Sequence, residues 1–111
     1  MNKIDLPVAL FNGVVATTNG LYRISNIDIE LAKKLIKEHG YISAIGHEAT
    51  AEIMAELLEA EISLNRIQFS QKVNQLAIVF KLKVRPPEGI ILSKEELLNI
   101  GFEFKLMERL E

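Results

Sequence analysis

The feature that most restricts the fold is a near-continuous apolar run over residues 76–84, rich in β-branched and aromatic side chains. Runs of this kind are typical of a strand in the middle of a sheet. Pro86 and Pro87 follow and end the run, because proline has no N–H to donate to a strand ladder. Residues 76–84 are therefore predicted to form the central strand of a sheet.

Shorter patterns predict the remaining strands. An apolar stretch over residues 6–17, interrupted at Asn12-Gly13, predicts one strand, and residues 21–24 predict a second strand paired with it. Asn-Gly is also a hairpin-turn signal, so both interpretations of the interruption stay open. Three further apolar or alternating segments cover residues 41–45, 66–70 and 102–107.

Two stretches have the apolar spacing of helices. Asn26 or Asp28 can cap a helix that runs to about Glu38, and Gly40 would stop it. Residues 47–60 have one apolar side and an opposite side covered by glutamates, which predicts an amphipathic helix.

A short third helix is predicted from a capping box at Ser93 and Glu96 and ends near Gly101. Strands and helices thus mix without a regular alternation. A chain of 111 residues supports one hydrophobic core. We expect residues 1–111 to form one α+β domain, with a single mixed sheet of about five strands and helices packed on one face.

Composition excludes several classes of function. The chain has no cysteine, which rules out disulfides, thiol nucleophiles and zinc–thiolate sites. Its net charge of −2 disfavours non-specific binding to long nucleic acid, although a few arginines could still hold a small anion. No apolar run reaches the roughly 20 residues of a membrane-spanning helix, and no secretory signal is evident, so we expect a cytoplasmic protein without membrane contact.

The common catalytic signatures are missing as well. The sequence contains no phosphate-binding loop, no dinucleotide fingerprint, no nucleophile elbow and no zinc-protease motif. Only His39 and His47 are histidines, and no carboxylate cluster has ligand spacing. We therefore predict no metal and no cofactor.

Residues 45–50 are the first of three segments where chemistry could lie. Gly46 lacks a side chain where a strand passes into a helix, so another molecule can approach the backbone. Free N–H groups of the first helical turn favour an anion there, and His47 and Thr50 share one face of that turn. The alternative is a glycine required by a tight turn, with the histidine and threonine as caps.

The other two segments carry arginines. Asn65-Arg66 begins a predicted strand, and a double proline between Arg85 and Glu88 would fix the directions of these two side chains. Either segment can equally be an ordinary strand end. The pattern alone predicts a protein of helices and strands in which an anion site can lie.

Taken together, the motifs Ile45-Gly46-His47-x-x-Thr50, Asn65-Arg66 and Arg85-x-x-Glu88-Gly89 resemble the viral ring nucleases that act as type III anti-CRISPR proteins. The resemblance covers nearly the whole chain, and it lies in the order and spacing of the motifs. It implies a two-fold homodimer that binds cyclic tetra-adenylate across its axis and cleaves it without a metal, in the host cytoplasm if the carrier is a virus.

The resemblance also implies roles for individual residues. His47, Arg85 and Glu88 match catalytic positions of the family. Asn12, Gly46, Thr50 and Arg66 match positions that bind the ligand or let it approach.

Two other functions stay open. Crenarchaeal viral members carry a serine at the position of Val15, so the chain could be a non-catalytic sponge or sensor of the same ligand. It could also be a structural or protein-interaction dimer, with the three segments acting as caps and turns.

Overall fold

The computed structural model describes residues 6–12, 19–67, 69–83 and 93–111. Within these ranges the chain forms eight elements. In chain order they are β1 (Val8–Phe11), β2 (Tyr22–Ile27), α1 (Ile29–His39), β3 (Tyr41–Ser43), α2 (Glu48–Leu58), β4 (Leu76–Leu82), α3 (Lys94–Ile100) and β5 (Phe102–Arg109).

The strands form one mixed sheet in the order β2-β5-β4-β1-β3. β1 runs parallel to both of its neighbours, with Leu10 opposite Ser43 on β3 and opposite Ile78 on β4. β5 is antiparallel to β4 and to β2. The predicted α+β class and the single mixed sheet of about five strands are confirmed.

The core lies on both faces of the sheet. Alternate strand residues, among them Leu10, Ile78 and Phe80, form one buried cluster with apolar side chains of α1 and α2. Ala9, Val79 and their neighbours form a second cluster on the opposite face. The segment at residues 77–80 is therefore buried on both sides, which confirms the predicted central strand.

The helix ends follow the predicted capping chemistry. Asp28 caps α1 by accepting the Leu31 N–H at 2.8 Å, and Gly40 ends the helix with φ at 73°. The N–H of Glu96 donates to Ser93 Oγ at 3.2 Å, and the N–H of Ser93 donates to Glu96 Oε1 at 3.1 Å, which confirms the capping box. None of the helices in the described ranges has the length and apolarity that crossing a membrane requires.

The predicted pairing of the first two strands is wrong. β2 pairs with β5, from Tyr22 opposite Arg109 to Ile27 opposite Phe104. Both sides of β1 are already occupied by parallel partners, and its four residues are buried. β2 is largely exposed, so it suits the edge of the sheet. Residues 13–17 of the predicted first strand lie outside the described residues.

The predicted strand at residues 66–70 is also wrong, since the described part of it forms no strand. Its alternation arises from separate packing. Phe69 packs edge-on against Phe11, with ring centroids 5.9 Å apart, while Ile67 is exposed. Gln68 and the predicted strand stop at Pro86-Pro87 lie outside the described residues.

Replacing Ile78 by alanine should lower the free energy of unfolding by about 2–5 kcal/mol, because the fully buried side chain leaves a cavity. Ile24, on the exposed edge strand β2, is the matched control, and Ile24→Ala should change it by no more than about 1 kcal/mol. Urea unfolding of both variants measures the two values. Equal losses would contradict the positions assigned to β4 and β2.

Candidate active site

The site forms where parallel strands end. Because β1 and β3 run in the same direction, Asn12 after β1 lies beside the turn that leads from β3 into α2. The Asn12 Oδ1 atom accepts the Gly46 N–H at 3.3 Å, and the Ala44 N–H donates to the Leu10 carbonyl at 2.9 Å. These two bonds hold the turn against the end of β1.

His47 occupies the N-cap position of α2 without capping it through its side chain. Its backbone is extended, with φ at −132° and ψ at 120°, and its carbonyl accepts the Ala51 N–H at 3.1 Å. The first N–H groups of a helix have no acceptor inside the helix, so those of α2 stay available unless a side chain takes them. The interpretation of His47 as a side-chain cap is therefore wrong.

The imidazole of His47 instead contacts Thr50. The Nδ1 atom of His47 lies 3.4 Å from Thr50 Oγ1, and Thr50 is only 5% exposed. Nε2 makes no hydrogen bond to any residue in the described ranges, and the ring is half-buried. One ring nitrogen is therefore held by the protein, and the other can meet a ligand.

Gly46 is not required by the geometry of its turn. Among the described glycines, only Gly40 and Gly101 have positive φ. A Cβ atom built at Gly46 would approach Arg66 Cγ at 3.5 Å, an ordinary van der Waals distance. The tight-turn explanation is wrong. Apart from its chain neighbours, Arg66 is the only described residue within 4 Å of the place where a Cβ atom of Gly46 would lie, so the glycine leaves space beside His47.

A segment that we call the strap, residues 61–66, runs beside β3 and is held mainly by side chains. Its bonds are Tyr41 Oη to the Glu61 carbonyl, Ser43 Oγ to the Ser63 carbonyl and Asn65 Nδ2 to the Ser43 carbonyl, each at 2.7 Å, and the Asn65 N–H to the Ile45 carbonyl at 2.9 Å. These bonds fix the main chain that leads to Arg66. Asn65 and Arg66 do not begin a strand, contrary to the prediction from the sequence.

Arg66 lies against the turn between β3 and α2. Its Nε donates to the Gly46 carbonyl at 3.0 Å, and its side chain is otherwise exposed. The two terminal nitrogens make no hydrogen bond within the described part of the chain. A guanidinium held through Nε in this way presents its remaining N–H groups as a fixed fork, which suits phosphate.

The structure thus brings Asn12, Gly46, His47, Thr50 and Arg66 together through direct contacts. The other two predicted site residues, Arg85 and Glu88, lie outside the described residues. In the sequence Arg85 comes three residues after Leu82, the last residue of β4, and β4 ends at the same edge of the sheet as β1 because the two strands are parallel.

The sequence predicted no role for Ser43, which both donates to the strap and accepts from it. The sequence motif Asn65-Arg66 likewise indicated a role for Arg66 and none for Asn65. Bonds between a side chain and a distant main chain leave no spacing pattern, so no signal in a single sequence could have identified Ser43.

A separate cavity of about 610 Å³ lies between α1 and the end of α2. Its lining includes Lys33, which forms an ion pair with Glu59 at 2.6 Å. This hydrogen bond raises the pKa of Lys33 and lowers the pKa of Glu59. The positive charge of Lys33 is thus already paired with a carboxylate of the protein. Within the described residues, no group of three or more histidine or acidic side chains could hold a metal ion.

A family model described as STIV B116-like matches residues 8–104. The chain belongs to the STIV B116-like family. Viral members include the uncharacterised protein 26 of a Sulfolobus islandicus filamentous virus, 40% identical over 74% of this chain and 70% of that protein. Another is the uncharacterised protein ORF117 of Acidianus two-tailed virus, 34% identical over 81% of this chain and 80% of that protein.

The STIV B116-like family also has a bacterial relative and a solved structure. The uncharacterised protein YddF of Bacillus subtilis is 33% identical over 96% of this chain and 100% of its own length. The structure of B116 from Sulfolobus turreted icosahedral virus has a TM-score of 0.67 at 23% identity, covering 93% of this chain and 99% of that one. This likeness shows the shared fold.

Replacing Gly46 by alanine should change the free energy of unfolding by no more than about 1 kcal/mol, because neither φ nor space excludes a Cβ atom. Gly40 has φ at 73°, and the matched variant Gly40→Ala should cost about 1–3 kcal/mol. Thermal and urea unfolding give both values. An equally large loss in Gly46→Ala would restore the tight-turn explanation.

Proposed function

We propose that this protein is a metal-independent ring nuclease that binds cyclic tetra-adenylate as a homodimer and cleaves it into linear di-adenylates ending in a 2′,3′-cyclic phosphate. Loss of this ligand would shut off type III CRISPR antiviral signalling in the cytoplasm. The observation that carries the proposal lies at the start of α2. Gly46 has no side chain beside the N-cap residue His47, and the Gly46 carbonyl accepts a hydrogen bond from the Arg66 guanidinium.

Phosphate recognition follows from two sets of donors. The first N–H groups of α2 point out of the helix at its positive end, where an anion is stabilised. The second set is the terminal N–H groups of Arg66, which bond to no described residue and belong to the guanidinium whose Nε donates to the Gly46 carbonyl. Because Gly46 has no side chain, a phosphate can reach both sets.

Cleavage of such a ring requires no external nucleophile. The ribose 2′-oxygen attacks the adjacent phosphorus and gives its proton to Glu88 or to water, the new P–O2′ bond forms, and the P–O5′ bond breaks. Because the nucleophile is intramolecular, alignment alone can supply several kcal/mol of the barrier. Charge that builds up on the phosphoryl oxygens is stabilised by the fixed donors of Arg66 and α2.

His47 is proposed to give its proton to the leaving 5′-oxygen. Its Nδ1 is held by Thr50, so Nε2 is the nitrogen that meets the ligand. A general acid of this kind is typically worth about 10²–10⁴ in rate. A bound phosphate also favours the charged form of the imidazole.

Arg85 and Glu88 are proposed to complete the catalytic set. Arg85 would bind phosphoryl oxygens beside Arg66. Glu88 would orient Arg85 or the 2′-hydroxyl, or take the 2′-hydroxyl proton. Asn12 accepts the Gly46 N–H through Oδ1, and its amide Nδ2, which bonds to no described residue, would donate to the ligand.

A homodimer matches the number of ligand groups. One chain supplies His47 and the two arginines Arg66 and Arg85 to the proposed site, whereas the ring carries four phosphates. A two-fold assembly doubles these donors and shares the symmetry of the ring, so the two copies of His47 would face opposite phosphates.

The variant His47→Ala should lower the cleavage rate about 10²–10⁴-fold, because the leaving oxygen loses its proton donor. Affinity for the ring should change little, since Arg66 and the α2 amides remain. His39→Ala, at the end of α1, is the matched control and should cleave at the wild-type rate. Single-turnover kinetics with labelled ring and a binding titration give both values, and equal loss of rate and affinity would refute the acid role.

Cleavage should continue unchanged in EDTA, and a ring of 2′-deoxyriboses should bind but stay intact, because the 2′-hydroxyl is the nucleophile. Chromatography of the products after incubation with cyclic tri-, tetra- and hexa-adenylate tests both expectations. Binding without any product would instead identify a sponge or sensor. No binding and no thermal stabilisation by any ring would favour a structural or interaction dimer.

A further inference from the structure

We propose that Thr50 is a positioning residue, which acts on the reaction through His47. The inference rests on the proposed function and refines it, since the family resemblance matches Thr50 to a ligand-binding position. Its basis is the contact of Thr50 Oγ1 with His47 Nδ1 at 3.4 Å in a side chain that is almost completely buried.

Burial separates Thr50 from the ligand-facing groups of the site. Thr50 is 5% exposed, whereas Arg66 and Asn12 are exposed and His47 is half-buried. Thr50 is also one of the buried residues of α2, together with Ala51 and Ile53. The Thr50 hydroxyl is therefore placed to act on the imidazole from the buried side of the site.

The chemistry of a hydroxyl suits a proton donor that must change its charge. A threonine hydroxyl can donate to Nδ1 of a neutral imidazole and can accept from Nδ1–H of the charged one. A carbonyl or carboxylate at this place would only accept. When the charged ring gives its Nε2 proton to the leaving oxygen, the neutral ring keeps Nδ1–H and still donates to the hydroxyl. A neutral ring that carries its proton on Nε2 instead accepts from the hydroxyl at Nδ1, so the contact that orients the ring exists in every state.

The helix itself supports this arrangement. His47 and Thr50 are three residues apart, so both side chains lie on one face of the first turn of α2. Threonine is stiff about χ1, so its hydroxyl keeps its direction better than a flexible side chain would. The contact of 3.4 Å is long and should shorten when the imidazole is charged, because charge-assisted hydrogen bonds are shorter.

Two variants separate positioning from ligand binding. Thr50→Val keeps the shape and removes the hydroxyl, and Thr50→Ser keeps the hydroxyl. We expect Thr50→Val to lower kcat about 10- to 100-fold with unchanged affinity for the uncleavable 2′-deoxy ring, and Thr50→Ser to restore most of kcat. Weakened affinity with unchanged kcat would instead make Thr50 a ligand contact, and unchanged values in both would overturn the proposal.

A second measurement does not depend on nuclease activity. In ligand-free protein with neutral His47, the imidazole ¹⁵N signals of the wild type and of Thr50→Ser should show one predominant tautomer, selected by the hydrogen bond between the hydroxyl and Nδ1. In Thr50→Val they should show an average of both tautomers. If the wild-type protein leaves every ring intact, the proposed function fails but these spectra still decide the contact, and identical signals in all three proteins would refute it. Urea unfolding of each variant verifies that the chain has folded.

Discussion

The position of β1 between two parallel partners is the constraint on which the site depends. Its four residues are buried on both faces, and β3 and β4 fill both of its hydrogen-bonding sides. Parallel neighbours end at the same edge of a sheet, so Asn12 and the turn after β3 meet there. In open sheets with parallel strands, ligands commonly bind at such carboxyl ends.

Contacts to the main chain then shape this edge. The Gly46 N–H is taken by Asn12 and its carbonyl by Arg66, so both main-chain polar groups of this residue are satisfied. The strap carries Arg66 to this place through bonds to Ser43 and the Ile45 carbonyl. Donors arranged in this way need little reorganisation when an anion arrives, which is the condition for effective electrostatic stabilisation.

Features determined by neighbouring residues could be predicted from the sequence. The Asp28 cap, the Gly40 stop and the Ser93–Glu96 box each need only a few residues of chain, and all three are present. The buried strand β4 was also predictable, because continuous burial leaves a continuous apolar run.

Pairing partners depend on contacts far apart in the chain, and there the predictions failed. β2 pairs with β5, which lies at the other end of the chain. The described part of residues 66–70 forms no strand, and its conformation depends on side-chain contacts that show no periodic pattern in the sequence. At the site, residue spacing alone did not decide whether Gly46 is required by a tight turn or lets another molecule approach the backbone. Backbone angles and the distance to Arg66 decided between them.

The central claim is that the start of α2 is the place where the ring's phosphate binds. The most direct test is a titration of ¹⁵N-labelled protein with 2′-deoxy cyclic tetra-adenylate, followed by amide correlation spectra. We expect the largest shifts at the amides of Gly46, His47 and Glu48 and at the side-chain nitrogens of Asn12 and Arg66. Saturable shifts confined to the cavity between α1 and α2, or no shifts at all, would contradict the account.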